Sequence, residues 1–339
     1  MHTLIQKMKM LNNLIKWLIS LTLLIVILFA IVYYYPSFDV KFNKNESHLS
    51  FRSAKENANN LISNEPAEVN QECSSFVLDH GNKTEIVVVL FHGYTNCPKQ
   101  FEILANQLYA KGFNVFVPRM PYHGYSDVAT DDFGKLRKED LLKYIHESME
   151  IASGLGESVR TIAISGGATL AACAAYYYDN VDVAVLSSPF FLPKLSLPFD
   201  YSQNFVINTL KIMPPEFKWW NDSIQDNATS GPLHAYPRIH TKGILAFIEI
   251  AAQLRKDLES GQFPQQKSRI VFIKSMGDQS VRNDVIDEYA ELWRGYENTE
   301  VLEYTLDPEL GLKHDYLEPL QSFARIDVVY PLLIDFLQN

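Results

Sequence analysis

Positive charge is scarce in this chain. Lysine and arginine total 30 against 40 aspartates and glutamates, a formal net charge of −10. The surface as a whole therefore repels phosphate backbones, and nucleic acid is not an expected partner. Metal-ligand spacing is missing as well. No C-x-x-C and no H-E-x-x-H occurs, and His234 and His240 flank a proline-containing loop, which disfavours a metal-dependent hydrolase. No internal repeat or low-complexity stretch is visible. What is present is ordinary for a folded protein: 47% hydrophobic and 21% charged residues, too apolar for a disordered chain.

The N-terminal segment, residues 1–35, does not read as soluble. Residues 17–35 (WLISLTLLIVILFAIVYYY) contain neither a charge nor a proline, and at about 1.5 Å per helical residue such a run crosses a bilayer core. Lys7, Lys9 and Lys16 precede it with no acidic residue among them, so the positive-inside rule keeps the N-terminus cytoplasmic and puts the bulk of the chain on the extracytoplasmic side. Trp17 and the tyrosines at 33–35 would sit at the two interfaces. A cleaved signal peptide is the alternative, although the run exceeds the usual h-region of about 7 to 15 residues and no small-x-small site follows it; a buried soluble helix is the third. Residues 36–71 are polar, rich in Asn, Ser, Lys and Glu, and lack hydrophobic periodicity, which predicts a linker.

Residues 72–339 carry a regular alternation of short β-branched runs and longer amphipathic segments, the pattern of parallel βαβ units. Strands are expected at Ile86–Phe91, Phe113–Val117, Arg160–Ile164, Val181–Leu186, Arg269–Ile273 and Glu300–Tyr304. Phe76–Asp79, before the turn signal His80-Gly81-Asn82-Lys83, is expected to form an antiparallel hairpin with the Ile86 strand. The proline-rich stretch at about 191–268 is too long for one crossover helix and reads as an inserted cap.

The chemistry begins at Thr161–Ala172 (TIAISGGATLAA), an apolar strand running into Ser165 and then a small-residue helix. A nucleophile elbow needs this sequence, because its sharp strand-to-helix turn tolerates only small neighbours and exposes the serine Oγ above the sheet. Ala163, Ser165 and Gly167 fill the small-x-Ser-x-small positions, with alanine where the usual motif has glycine; an ordinary strand-helix junction is the bland alternative. Val87–Phe101 (VVVLFHGYTNCPKQF) is a buried strand followed by a polar turn and a new helix. Its backbone N–H at Tyr94, paired with that of Gly166, is the expected oxyanion hole. His92 is expected to pack the loop.

Acid and base should follow in the order serine, acid, histidine. Asp278 lies in the turn KSMGDQSV after an apolar strand, with Asp307 and Asp315 as rivals. His314 is the only histidine beyond residue 240. Ser165 would attack, His314 would take its proton, and Asp278 would fix the imidazole tautomer.

On these residues, together with the stretches HGYTNCPKQF and PRMPYHG, the chain resembles the α/β-hydrolase superfamily, closest to its capped carboxylesterases and monoacylglycerol-lipase-like members, over roughly residues 73 to 339. The resemblance implies an α/β-hydrolase fold: a mostly parallel eight-stranded sheet with helices on both faces, a cap over the site, and a cofactor-free acyl-enzyme mechanism. The expected function is carboxylic ester hydrolysis on a small-molecule or lipid-like substrate. Amide or peptide cleavage, thioester hydrolysis and acyl transfer on the same triad remain open, as does a non-catalytic recognition module. His123 is expected to be structural and Arg119 to be a buried ion-pair partner.

Three further expectations concern the surroundings. If the hairpin turns near residue 82, Cys73 lies opposite residues 91 and 92, close to Cys97, and an exported domain would preserve a disulfide between them; two unpaired cysteines are the alternative, with Cys173 a buried thiol. Phe190 and Phe191, leaving the Val181 strand on the edge that bears Ser165, are candidate pocket residues. Leu192, Leu195, Leu197, Phe199, Trp219 and Trp220 could join them or merely pack the cap. N-x-S/T triplets at Asn45, Asn82, Asn221 and Asn227 do not identify the host.

Overall fold

The structure, a computed structural model, describes residues 2–42, 48–219, 232–261 and 268–338. Trp220 and the triplets at Asn45, Asn221 and Asn227 lie outside the described residues; Asn82 is exposed. The chain divides into two compact units.

The smaller unit comprises residues 1–38 and 197–214. Helix α1 (His2–Tyr34) is followed, across the sequence gap, by α6 (Gln203–Ile212), whose N-cap Ser202 accepts from the Phe205 N–H. Within α1, Gln6–Tyr34 is long and apolar enough to cross a membrane.

The larger unit, residues 39–196 and 215–339, is built on a seven-stranded sheet. Its strands are β1 (Phe76–Leu78), β2 (Thr84–Phe91), β3 (Asn114–Val117), β4 (Gly156–Ile164), β5 (Val181–Ser187), β8 (Ser268–Ser275) and β9 (Thr299–Leu306), in the order β1-β3-β2-β4-β5-β8-β9. All neighbours are parallel except β1 and β3. Every expected strand core is present; the apolar runs of β2, β4, β5 and β8 are buried, and pairing with neighbouring strands satisfies their backbone. A short ribbon, β6 (Phe217–Trp219) with β7 (Arg238–His240), stands apart from the sheet.

Four expectations are corrected. The Phe76 strand pairs with β3, in register Phe76 to Val117, and not with the Ile86 strand; both edges of β2 are already taken by parallel β3 and β4. Seven strands form among the described residues instead of eight, because the chain before β1 runs as helix α2 (Phe51–Ser63) and a 3-10 turn and leaves β1 at the edge. The stretch read as a polar linker is thus partly structural. Helix α2, capped by Ser50, buries Ala54 and Ala58 against α4 (Lys138–Leu155), at a point where a Cβ on Gly154 would come within 2.5 Å of the Ala54 Cβ. Its composition is polar and its two buried residues are alanines, which is why it reads as linker. Finally, the last part of the expected cap is α7 (Thr241–Ser260), a largely buried helix packed beside α4 and α5 (Gly166–Tyr177). It closes the crossover from β5 to β8.

Helices cover both faces. Helix α3 (Glu102–Ala110) and α9 (Ile326–Gln338) bury Leu104, Leu108, Val329 and Leu333 against Val88, Leu90, Ile162 and Val185. On the other face lies α5, every residue of which is buried, flanked by α4 and α7. Helix α8 (Asn283–Arg294) joins β8 to β9. The C-terminal ends of β4, β8 and β9 therefore open on one edge, where parallel sheets carry their sites.

Candidate active site

Ser165 sits between β4 and α5 with φ 57° and ψ −124°, a backbone state that costs a non-glycine residue on the order of 1–3 kcal/mol and persists only where the surroundings enforce it. They do so here. The Ser165 N–H donates to Ser187 O at 3.0 Å, and Ser165 O accepts from Phe190 N at 3.1 Å and Thr169 N at 3.1 Å. The small neighbours are obligatory: a Cβ on Gly167 would lie 2.1 Å from Phe91 O and 2.4 Å from His92 O, and one on Gly166 would meet the Phe247 ring at 2.9 Å.

His314 follows β9, and Asp278 follows β8. Their loops are stitched together by Ser275, whose hydroxyl donates to Leu312 O at 2.6 Å, and by Gly277, where a Cβ would stand 2.4 Å from the same oxygen. The stitching brings the three side chains into line. His314 Nδ1 lies 2.7 Å from Asp278 Oδ2, and His314 Nε2 lies 2.8 Å from Ser165 Oγ. Asp278 Oδ1 accepts from the N–H groups of Ser280 and Val281 at 2.8 and 3.2 Å. Burial opposes ionisation of Asp278, but the bond to His314, its charge and the Ser280 amide outweigh it, so the carboxyl is held below the usual range. Burial likewise pulls the His314 pKa down, and the Asp278 carboxylate overcomes it, leaving the imidazole above its ordinary value. Such a set can pass the serine proton to the ring and hold the resulting imidazolium.

The rival acids have other partners. Asp307 caps the turn Pro308–Leu310. Asp315 accepts from Gln100 Nε2 at 2.7 Å and from Gln321 Nε2 at 3.1 Å, and desolvation raises its pKa to about 6.

Tyr94 lies in the turn after β2, beside the elbow: a Cβ on neighbouring Gly93 would be 3.9 Å from the Ser165 Cβ. Among the described residues the Tyr94 N–H has no protein acceptor, and Gly166 opens α5, where a helix leaves its first N–H groups unpaired. The turn is held from several sides. Gly93 N–H donates to Gln100 Oε1 at 3.0 Å, Tyr236 N–H donates to Thr95 O at 2.7 Å, and His123 Nε2 lies 2.5 Å from Tyr94 O. The Tyr94 hydroxyl donates to His240 O at 3.0 Å, and its ring stacks on Phe133 at 4.7 Å. Cys73 and Cys97 are joined by a disulfide with a Cα separation of 5.3 Å. The pair meets although the hairpin that motivated it does not form, because the β1–β3 pairing still returns residue 73 to the same end of the sheet. Cys173 is a buried free thiol.

His92 is buried, accepting the Met120 N–H at Nε2, and Arg119 pairs with Glu65 at 3.1 Å inside the protein. Phe190 is buried, its backbone tied to Ser165 and Thr169. Phe191 does not face a pocket: it has no exposed surface, stacks on Tyr289 at 3.8 Å and meets Phe272 edge-on.

Sequence reasoning missed the polar cluster beneath the turn. Asn96 Nδ2 donates to Glu318 Oε2 at 2.9 Å, and His234 Nε2 lies 3.1 Å from the same oxygen. These contacts span 222 and 84 residues, so no local pattern announces them. Gln100, which bridges Gly93 to Asp315, was no more visible. Among the described residues no group of His, Cys, Asp or Glu is arranged to hold a metal ion.

A model of the alpha/beta hydrolase fold matches residues 86–217. No curated protein matches the chain. Among solved structures, a metagenome-derived lipolytic enzyme aligns with a TM-score of 0.57 at 17% identity, over 80% of this chain and 99% of its own. The monoacylglycerol lipase of Paleococcus ferrophilus aligns with 0.56 at 18% identity, over 78% and 97%. A soluble variant of the monoglyceride lipase of Saccharomyces cerevisiae, solved with a substrate analogue, gives 0.51 at 14% identity, over 78% and 91%.

Proposed function

We propose that this chain, which has the α/β-hydrolase fold, is a membrane-anchored serine hydrolase that cleaves carboxylic esters of small or lipid-like alcohols. The observation that carries the reading is the continuous line Ser165 Oγ, His314 Nε2, His314 Nδ1, Asp278 Oδ2, with contacts of 2.8 and 2.7 Å. The lipase and monoacylglycerol-lipase neighbours support ester chemistry on such a line.

In the proposed cycle, Ser165 Oγ attacks the ester carbonyl carbon while its proton moves to His314 Nε2. The developing oxyanion takes hydrogen bonds from the Tyr94 and Gly166 N–H groups, donors already aimed because the turn and the elbow are held by the contacts above; each is worth a few kcal/mol in sites of this kind. The tetrahedral intermediate collapses, the C–O bond to the alcohol breaks, and His314 returns the proton to the departing alkoxide. Water then attacks the acyl-serine by the same route, releasing the acid and restoring Ser165.

Helix α1 is the proposed anchor, with the N-terminus cytoplasmic and the hydrolase on the extracytoplasmic side. The hydrolase part then begins near Asp39, since α2 and Glu65 belong to its packing. The direct test is fluorophosphonate labelling of the full chain with p-nitrophenyl ester turnover. Both should vanish in Ser165→Ala while the near-UV circular dichroism stays unchanged; undiminished turnover in that variant would end the reading.

A further inference from the structure

A membrane-spanning helix leaves its last carbonyls without intrahelical donors at the level where lipid gives way to water. In this protein the donors come from the segment inserted between β5 and β8. Asn208 Nδ2 donates to Val32 O at 2.9 Å and to Tyr35 O at 2.8 Å, Ser202 Oγ to Tyr33 O at 3.0 Å, and Asn204 Nδ2 to Tyr34 O at 3.3 Å. Lys211 Nζ donates to Ser37 O, and the Tyr33 hydroxyl returns a bond to Asp200 O at 3.3 Å. Three polar side chains of the segment thus cap the end of α1.

The apolar contacts reach deeper. Phe199 meets the Phe29 ring edge-on at 5.9 Å, and Phe205 packs on both Phe29 and Tyr33. Phe29 lies six positions before Tyr35, roughly 9 Å along a helix rising 1.5 Å per residue. A side chain touching it is therefore level with the zone, about 5–10 Å inside the boundary, where interfacial helices bury their apolar face. Yet Phe199 remains 41% exposed and Leu197 39% exposed, while Ile212 and Met213, next to Lys211, are 73% and 47% exposed. Water is a poor solvent for four such side chains on so short a segment.

We propose that residues 197–214 form a lipid-binding surface: the segment is clamped to the end of α1 and rests in the bilayer, with Leu197 and Phe199 among the upper acyl chains and Ile212 and Met213 at the headgroups. The partner is the lipid bilayer that α1 spans, and the inference rests on reading α1 as a membrane helix. What commits the surface to lipid is its continuity with that helix, through both the hydrogen bonds and the Phe29 contact.

The test uses the full chain in nanodiscs. Cys173 is buried and Cys73 is bonded to Cys97, so a thiol-reactive NBD probe reports on one introduced cysteine at a time. Leu197→Cys and Phe199→Cys test the surface, Ile212→Cys the headgroup level, Ile25→Cys the middle of α1, and Leu320→Cys, exposed on the larger unit, the water reference. The expected result is blue-shifted emission at 197 and 199 with quenching by lipids brominated high in the acyl chain roughly twofold or more above that at 320. Position 212 should shift less, and position 25 should respond best to deeply brominated lipids. Leu197→Cys leaves the Phe29 contact intact and guards against a local effect of replacing Phe199. If position 25 is quenched while 197 and 199 behave like 320, the lipid-binding surface is refuted and the anchor stands. If position 25 is not quenched, the anchor reading falls and the surface falls with it.

Discussion

Replacing Asp278 by asparagine isolates one part of the proposed machinery, the choice of imidazole tautomer. Asp278 Oδ1 accepts two backbone N–H groups, from Ser280 at 2.8 Å and Val281 at 3.2 Å, while Oδ2 faces His314 Nδ1 at 2.7 Å. In Asp278→Asn the amide oxygen must take the Oδ1 place, because an NH2 group there would confront two donors in a buried site. The NH2 group then points at His314 Nδ1, which can only accept. The ring proton moves to Nε2, facing Ser165 Oγ across 2.8 Å, where it cannot take the serine proton. Loss of the carboxylate also removes the charge that stabilises the imidazolium. A comparable change in a serine protease triad costs about four orders of magnitude in kcat, or roughly 5 kcal/mol in the barrier. The assay is kcat/KM on a p-nitrophenyl ester, with thermal unfolding as the control for folding. The side chains are nearly isosteric, so the fold should survive. A variant that keeps activity within about tenfold while Ser165→Ala is inactive would refute the assignment of Asp278 and return the role to another acid.

Other expectations follow from the same contacts. Because only neutral His314 accepts the serine proton, and Asp278 holds its pKa above the ordinary value of 6.5, kcat/KM should rise with pH through a midpoint above about 6.5 and fall away on acidification; a midpoint below about 6 would contradict the cause assigned to the shift. Gly167→Ala places a methyl 2.1 Å from Phe91 O, a backbone atom of the interior strand β2, so the elbow must move: a loss of at least about 1–3 kcal/mol in stability is expected by urea unfolding, with labelling of Ser165 reduced in parallel. Removing the Cys73–Cys97 bond, which closes a loop with a sequence separation of 24, should cost about 3.5 kcal/mol on chain-entropy grounds, read as a shift in the urea midpoint of Cys73→Ala/Cys97→Ala against the oxidised parent.

How much of this was legible beforehand depends on the range of the interaction. The strand cores could be read because most are short, apolar, buried runs bounded by polar turns. Ser165, Asp278 and His314 could be named because the chain order of a parallel sheet restricts which strand ends converge, and because His314 had no competing histidine after residue 240. The partner of β1 could not be read, since a three-residue strand carries no mark of which edge is vacant. Helix α2 was passed over because its stretch is polar overall and its buried residues, Ala54 and Ala58, are small. Phe190 and Phe191 were indistinguishable as neighbours in sequence; packing assigned Phe191 to Tyr289 and Phe272.

The sequence by itself determined the local vocabulary of this protein: an apolar N-terminal helix, the parallel strands, the small residues of the elbow, and three side chains in the chain order serine, acid, histidine. These follow from propensity, burial and chain direction, which act over a few residues at a time. Only the tertiary structure decided the rest: the 2.7 and 2.8 Å contacts of His314, the Gln100 bridge between Gly93 and Asp315, the Glu318 cluster under Asn96, and the side chains of the inserted segment that cap α1. Each joins residues from separate elements. Whether two polar groups meet there depends on how the elements pack to a few tenths of an ångström, a property of the whole core that no window along the chain contains.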